Sequence, residues 1–164
     1  VQLRNLATVG GSIYSRFGFS DVLTMFLALN ASVELYKGGV VPLAEYAQRP
    51  YDRDILVRVL VPKENARFVY QSVRNSQTDF PVLTCAAAKL ADGSIRAAIG
   101  ARPGKAVLYT AAPEAGETAE EFAARFAAEV KADIKTESNL RGGAEYRRHL
   151  AGVLTKRAVC RLEG

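Results

Sequence analysis

Hydrophobic residues crowd one stretch near the start of the chain. Val22, Leu23, Met25, Phe26, Leu27 and Leu29 fall on most sides of a helical wheel, which predicts a largely buried helix. Ser20 stands at its N-cap position and Asp21 follows in the first turn, where a carboxylate suits the helix dipole. Before it, residues 1–15 read as a loop with a short turn of helix after Gly11. After it, residues 32–36 alternate as a strand, Lys37-Gly38-Gly39 turns the chain, and residues 41–46 read as a short helical piece with Pro42 in its first turn. Residues 54–61 form a near-continuous apolar run rich in β-branched side chains, which predicts a central strand ended by Pro62.

The pattern then becomes a meander. Residues 66–74 read as a strand. Residues 82–90 and 94–101 flank Ala91-Asp92-Gly93, a hairpin signal of the kind met in type I′ turns. Arg102-Pro103-Gly104 makes another turn into a strand at 105–110. Helices follow. Thr118 and Glu121 match a capping box, and Phe122, Phe126, Val130 and Ile134 repeat at four-residue spacing. Gly142-Gly143 separates that helix from a last one over residues 144–161, with Tyr146, Leu150, Val153 and Leu154 as its buried stripe. Strands followed by helices predict an α+β fold.

Composition narrows the classes. Of 164 residues, 49% are hydrophobic and 24% charged, as in an ordinary globular chain. The longest apolar run, residues 22–31, contains Thr24 and Asn30 and is too short to span a bilayer. Cys85 and Cys160 lack metal-ligand spacing and are expected as reduced thiols in or near the core, in a cytoplasmic protein. The net charge of +5 is concentrated late, in Arg141, Arg147, Arg148, Lys156, Arg157 and Arg161, which read as a solvated helix face. Tyrosines are not interleaved with basic residues, so a nucleic-acid platform is not indicated. His149, the sole histidine, lies among arginines and reads as solvated. No nucleophile–base arrangement stands out, and neither catalytic residues nor a metal site are expected.

The candidate chemistry lies in Ala7-Thr8-Val9-Gly10-Gly11-Ser12-Ile13, with Ser15 and Asp21 beyond it. Glycines let backbone approach a ligand, and the amides beside them can cradle a phosphate. No G-x-G-x-x-G follows a parallel strand, so this is not a Rossmann fingerprint. The stretch resembles the A-[ST]-[VI]-G-G-N-[IL] segment in the FAD-binding subunit of the molybdenum hydroxylases, the family of xanthine dehydrogenase and aerobic carbon monoxide dehydrogenase. Asp21 stands at the spacing of that family's acid. Residues 140–154, opening Leu140-Arg141-Gly142-Gly143, resemble the R-G-[SG]-x-x-Y-[RK] run near the end of the same subunit.

The resemblance implies cofactor-binding roles residue by residue. Thr8, Gly10 and Gly11 would approach the FAD pyrophosphate. Ser12 takes the place of the family's asparagine, and Ser15 adds a polar contact. Asp21 would accept from ribityl or ribose hydroxyls. Leu56 lies in a segment matching the strand beside the isoalloxazine ring. Arg16-Phe17-Gly18-Phe19 replaces the family's small residues and proline, with Arg16 adding charge for a phosphate, and Ser72 stands where a lysine is common.

The implied architecture is a second FAD-binding subdomain at residues 1–61, then a C-terminal domain at 62–164 with an antiparallel three-stranded sheet packed with helices. The implied partners are a molybdopterin-binding large subunit and an iron–sulfur small subunit carrying 2Fe–2S clusters, with neither nucleic acid nor membrane. Because the chain opens with Val1 just upstream of the motif, it is expected to be the C-terminal part of a longer subunit that holds FAD weakly or not at all by itself. The alternative is a non-catalytic subunit-docking module with an apolar patch around Tyr14, Phe17 and Phe19.

Overall fold

The computed structural model describes residues 6–63 and 67–163. Arg4 and Asn5, which precede the motif, lie outside the described residues. A short helix α1 (Val9–Tyr14) leads to α2 (Asp21–Ala28), whose N-cap is Ser20, the hydroxyl accepting from the Leu23 amide. Strands β1 (Ser32–Leu35) and β2 (Gly39–Pro42), a turn of helix α3 (Leu43–Tyr46) and β3 (Leu56–Leu60) complete the first half. The second half is a meander of β4 (Arg67–Val73), β5 (Leu83–Lys89), β6 (Ile95–Gly100) and β7 (Val107–Ala111), then helices α4 (Ala119–Asp133) and α5 (Ala144–Glu163).

The α+β class is borne out, with two antiparallel sheets ordered β2-β1-β3 and β4-β5-β6-β7. The second sheet has four strands, because β4 pairs with β5 along its whole length, from Arg67 opposite Lys89 to Val73 opposite Leu83. The apolar run at 54–61 is not a central strand. β1 takes the centre, flanked by β2 and β3, and β3 lies at the edge with Ile55 65% and Val57 51% exposed. A continuous apolar run signals contact on both faces, and here one of those faces is open to solvent.

The four-stranded sheet is covered on both sides, which explains why β5 is buried from Leu83 to Ala88. One face, with Leu83, Cys85, Ala87, Ile95, Ala97 and Ile99, packs against α4 and α5. The other presents Ala86, Ala88 and Ala98 to the core of α2 and the three-stranded sheet. Alanines let α2 lie close: the Thr24 and Thr84 hydroxyls meet at 3.3 Å, and a Cβ on Gly100 would collide with both and with the Gly18 carbonyl.

The β5–β6 hairpin forms where expected, but only Gly93 has a positive φ, 83°. The loop is therefore a three-residue connection with glycine in the left-handed position, not a type I′ turn. The capping box at Thr118 and Glu121 forms, and Phe122, Phe126, Val130 and Ile134 are buried. On α5 the buried stripe runs through Arg147, Leu150, Ala151, Leu154, Ala158 and Leu162, while Tyr146 is half exposed. Tyr146 sits one position, about 100° of helix, from the contact line.

Arg147 is a correction to the solvated basic face: it is 0% exposed. Its guanidinium donates to the carbonyls of Val82 (2.9 Å), Glu137 (2.6 Å) and Gly142 (2.7 Å) and to Asn139 Oδ1 (2.6 Å). A planar fork with five N–H donors can satisfy that many acceptors at once.

The thiols also separate. Cys85 is buried, and burial pushes its thiol up to about 12, whereas Cys160 is exposed on α5, outside the core. Thiolate is the reactive form. In the native protein an aromatic disulfide reagent therefore titrates Cys160 alone, and Cys85 reacts only once denaturant is added; rapid release from both without denaturant would contradict the packing.

Candidate functional site

Helix α1 organises the glycine segment. Thr8 is its N-cap, the hydroxyl accepting from the Gly11 amide at 3.0 Å and the carbonyl from the Ser12 amide at 3.0 Å. The Ser15 hydroxyl donates to the Ser12 carbonyl at 3.3 Å. Among the described residues no partner takes the amides of Val9 and Gly10. A Cβ on Gly10 would meet nothing within 4 Å, whereas one on Gly11 would meet the Thr8 hydroxyl at 3.1 Å. The structure therefore gathers Thr8, Gly10, Gly11 and Ser12 on one turn, with Ser15 one turn further on and open space over Gly10.

Arg16 ends α1 in a left-handed conformation, φ 51°. It does not face outward as a phosphate ligand; it is only 4% exposed. Its guanidinium lies 4.3 Å from the Tyr46 ring centroid, 4.8 Å from Tyr51 and 5.7 Å from Tyr14. It donates to the Pro50 carbonyl at 2.6 Å and pairs with Asp52 at 3.6 Å. A cation is drawn inward here because three ring faces and a ring of carbonyls replace its water. The Tyr14 hydroxyl donates to the Asp52 carbonyl at 3.2 Å and the Tyr51 hydroxyl to that of Ser15. These contacts fasten the segment leading into β3 onto α1.

Leu56 begins β3 and packs inward against the core shared by α2 and the three-stranded sheet, while its neighbours Ile55 and Val57 are the exposed apolar groups. The Asp54 carboxylate fixes this corner. It accepts from the amides of Lys37 (2.9 Å), Gly38 (2.8 Å) and Ile55 (2.8 Å), bonds that hold it below the usual carboxylate range. A depressed pKa contributes stability that is present above the unfolded value of about 3.9 and is lost as pH falls through the folded one. Asp54→Asn is therefore expected to lower the thermal midpoint at pH 7 and to lessen its fall below about pH 4, measured by melts across that range; parallel pH curves for the two proteins would contradict this.

Asp21, at the start of α2, meets two residues of β4. Arg74 Nη2 lies 2.7 Å from both carboxylate oxygens, and the Tyr70 hydroxyl donates to one of them at 2.7 Å. Burial, reinforced by the Asp21 bond, raises the Tyr70 phenol well above its ordinary value. The sequence reading did not assign these partners. The available signal was strand alternation: Val69 and Val73 pack toward α4 and α5, so Tyr70, Ser72 and Arg74 share the opposite face. Ser72 is exposed, and the positive charge of this face sits on Arg74. Arg74 also donates to the Asp79 carbonyl at 2.7 Å, which ties Asp21 to the β4–β5 loop.

Beyond that loop lies an aromatic cleft of about 530 Å³. Phe17 and Phe19 stack with centroids 5.1 Å apart, Phe80 tilts against Phe19 at 4.7 Å, and the Arg141 guanidinium covers Phe80 at 5.2 Å. Phe17, Phe19 and Phe80 are each 40% exposed or more. The expected patch exists, although Phe80 rather than Tyr14 completes it.

Residues 1–64 match the FAD binding domain in molybdopterin dehydrogenase, and residues 68–162 match the CO dehydrogenase flavoprotein C-terminal domain. The uncharacterized protein YgfM of Escherichia coli (strain K12) is 27% identical over 152 residues, 93% of this chain and 57% of that protein. Among solved structures, carbon monoxide dehydrogenase from Hydrogenophaga pseudoflava, in a form lacking the Mo-pyranopterin moiety of its cofactor, is similar over 98% of this chain and 62% of that one, with TM-score 0.81 and 23% identity. Quinoline 2-oxidoreductase from Pseudomonas putida 86 is similar over 99% of this chain and 62% of that one, with TM-score 0.80 and 20% identity. At such identities the structural likeness is one of fold.

Proposed function

This chain belongs to the family of FAD-binding subunits of the molybdenum hydroxylases, and we propose that it holds the pyrophosphate and sugar side of an FAD on the Thr8–Ser12 turn. One observation carries the reading: within the segment matched to an FAD-binding domain, the amides of Val9 and Gly10 have no partner among the described residues, and Gly10 borders open space. Helix α1 has six residues, too few for its dipole to matter. Its contribution is two amides and a backbone that a phosphate can approach closely.

The remaining roles follow from placement. Thr8 and Ser12 offer hydroxyl donors beside the amides, and Ser15 lies one turn further on. Asp21 accepts from the ribityl or ribose hydroxyls while Arg74 and Tyr70 fix its orientation. Leu56 contributes backbone at the edge of the ring, where Ile55 and Val57 present apolar side chains and exclude water. When bound, FAD would supply the redox chemistry, and its electrons would come from a molybdopterin in a large subunit by way of 2Fe–2S clusters in a small one. In this reading residues 1–61 are the second flavin subdomain and 62–164 the C-terminal domain, in a cytoplasmic complex. The chain spans about three-fifths of the relatives it matches, and by itself it offers one side of the flavin site.

A second reading, a subunit-docking module without its own flavin, is favoured by the exposed Phe17, Phe19 and Phe80 cluster, an apolar surface of the kind that marks interfaces. Flavin fluorescence separates the two. FAD is titrated against this chain and against a form extended upstream. Tight binding by the extended form alone supports the flavoprotein reading and the one-sided site. Binding by neither overturns it in favour of docking.

A further inference from the structure

The two helices that cover the four-stranded sheet leave a groove of about 290 Å³ on their solvent side. Ala127 and Gly152 are buried at its base, Ala128, His149 and Val153 complete the lining, and Lys131, Lys156 and Arg157 are exposed at its edge. No carboxylate lines it. Among the described residues no ion pair or hydrogen bond draws on the three rim cations. On α4 itself Arg125, by contrast, pairs with Glu117 at 2.9 Å and with Glu129 at 2.9 Å. The groove is thus a place where positive charge is left unmatched around an apolar trough.

Gly152 is the second observation. It lies in the middle of a 20-residue helix, where glycine is the least favourable residue apart from proline. Packing does not require it. A Cβ there would meet the Ala127 carbonyl oxygen and Lys131 Cβ at 3.4 Å, ordinary van der Waals contact. The visible consequence of glycine at 152 is a deeper groove floor.

We propose that the α4–α5 groove docks an acidic amphipathic helix from another polypeptide. The trough between two packed helices is the natural seat for a third, whose apolar ridge fills it. The rim selects for acid, because burying the trough brings the partner's flanking residues against Lys131, Lys156 and Arg157, where carboxylates are attracted and further cations repelled. From His149 to Arg157 the lining of α5 spans about 12 Å at 1.5 Å per residue, so a partner helix of about three turns covers it. The assignment does not depend on the flavin reading.

Cys160, exposed one turn beyond Lys156, provides the reporter, since Cys85 is buried. A fluorophore sensitive to its surroundings is attached there, and a synthetic helical peptide with leucines along one face and glutamates flanking them is titrated. Saturable binding is expected. It should weaken at least fivefold between low and high salt and at least tenfold in the double variant Lys131→Glu, Arg157→Glu, which is checked for native circular dichroism. Gly152→Ala is expected to raise the thermal midpoint and yet weaken binding, a split that a purely structural role does not produce. The proposal is overturned by absence of saturable binding, by equal affinity for the same peptide with lysines in place of glutamates, or by unchanged affinity in Gly152→Ala. Preference for phosphatidylglycerol vesicles over the peptide overturns it too, by pointing to a membrane surface.

Discussion

Arg147→Met is expected to lower the thermal midpoint by about 10 °C. The guanidinium serves three carbonyl oxygens and the Asn139 side chain; with methionine the Gly142 carbonyl keeps the Asn139 amide and Asn139 Oδ1 keeps the Arg141 amide, while the Val82 and Glu137 carbonyls lose their donor. A buried acceptor left unsatisfied costs about 1–3 kcal/mol; partial relaxation brings the sum to about 3–4 kcal/mol, and a protein of this size loses about 2–4 °C per kcal/mol. Arg147→Lys recovers less than half of the loss, because an ammonium cannot span the same fork. Arg148→Met, on the exposed neighbour, changes stability by less than about 0.5 kcal/mol. Melts of the three variants side by side check this, and a midpoint for Arg147→Met within two degrees of the parent would contradict it.

The consequences reach the site. Arg147 holds the turn containing Glu137, Asn139 and Gly142, and this turn presents Arg141 to Asp79 at 2.7 Å and to the Phe80 ring. The Asp79 carbonyl receives Arg74, which in turn fixes Asp21. A buried residue of the last helix thus supports a carboxylate at the start of α2.

Gly10→Val is expected to leave the fold intact and weaken FAD binding by at least tenfold. The glycine has no neighbour within 4 Å on its Cβ side and does not have a positive φ, so valine fits the chain itself. It does not fit a phosphate lying against the Val9 and Gly10 amides. Loss of charge-assisted hydrogen bonds at about 1.5–3 kcal/mol each corresponds to a factor of about ten to a hundred. The check is a pair of measurements on one variant in the extended form: its melting temperature and its FAD dissociation constant. A normal dissociation constant would remove the pyrophosphate from this turn.

The fold was legible wherever local chemistry decides it. Ser20 and Thr118 announce their helices because each side chain closes an orphan amide, and that geometry is written in three or four residues. The 54–61 run was misread because an apolar sequence records that surface is to be covered but not whether the covering lies within the described chain. Arg147 was misread because burying an arginine depends on carbonyls contributed by residues far away in sequence, Val82 among them. In the site, the Thr8–Ser12 turn could be read directly, as a compact segment. The partners of Asp21 could not, since Tyr70 and Arg74 reach it only through the packing of β4 beside α2. Arg16 carries the same lesson: its charge suggested a phosphate, and only the fold supplies the three tyrosine rings that enclose it.

The central claim is tested most directly by following backbone amide resonances while FAD is added to the isotopically labelled, extended form. The account predicts that Val9, Gly10 and Gly11 show the largest shifts, with Asp21 and Ile55 next, and that Gly10→Val abolishes them. Shifts centred instead on Phe17, Phe19 and Phe80, with Val9 and Gly10 unmoved, would contradict it.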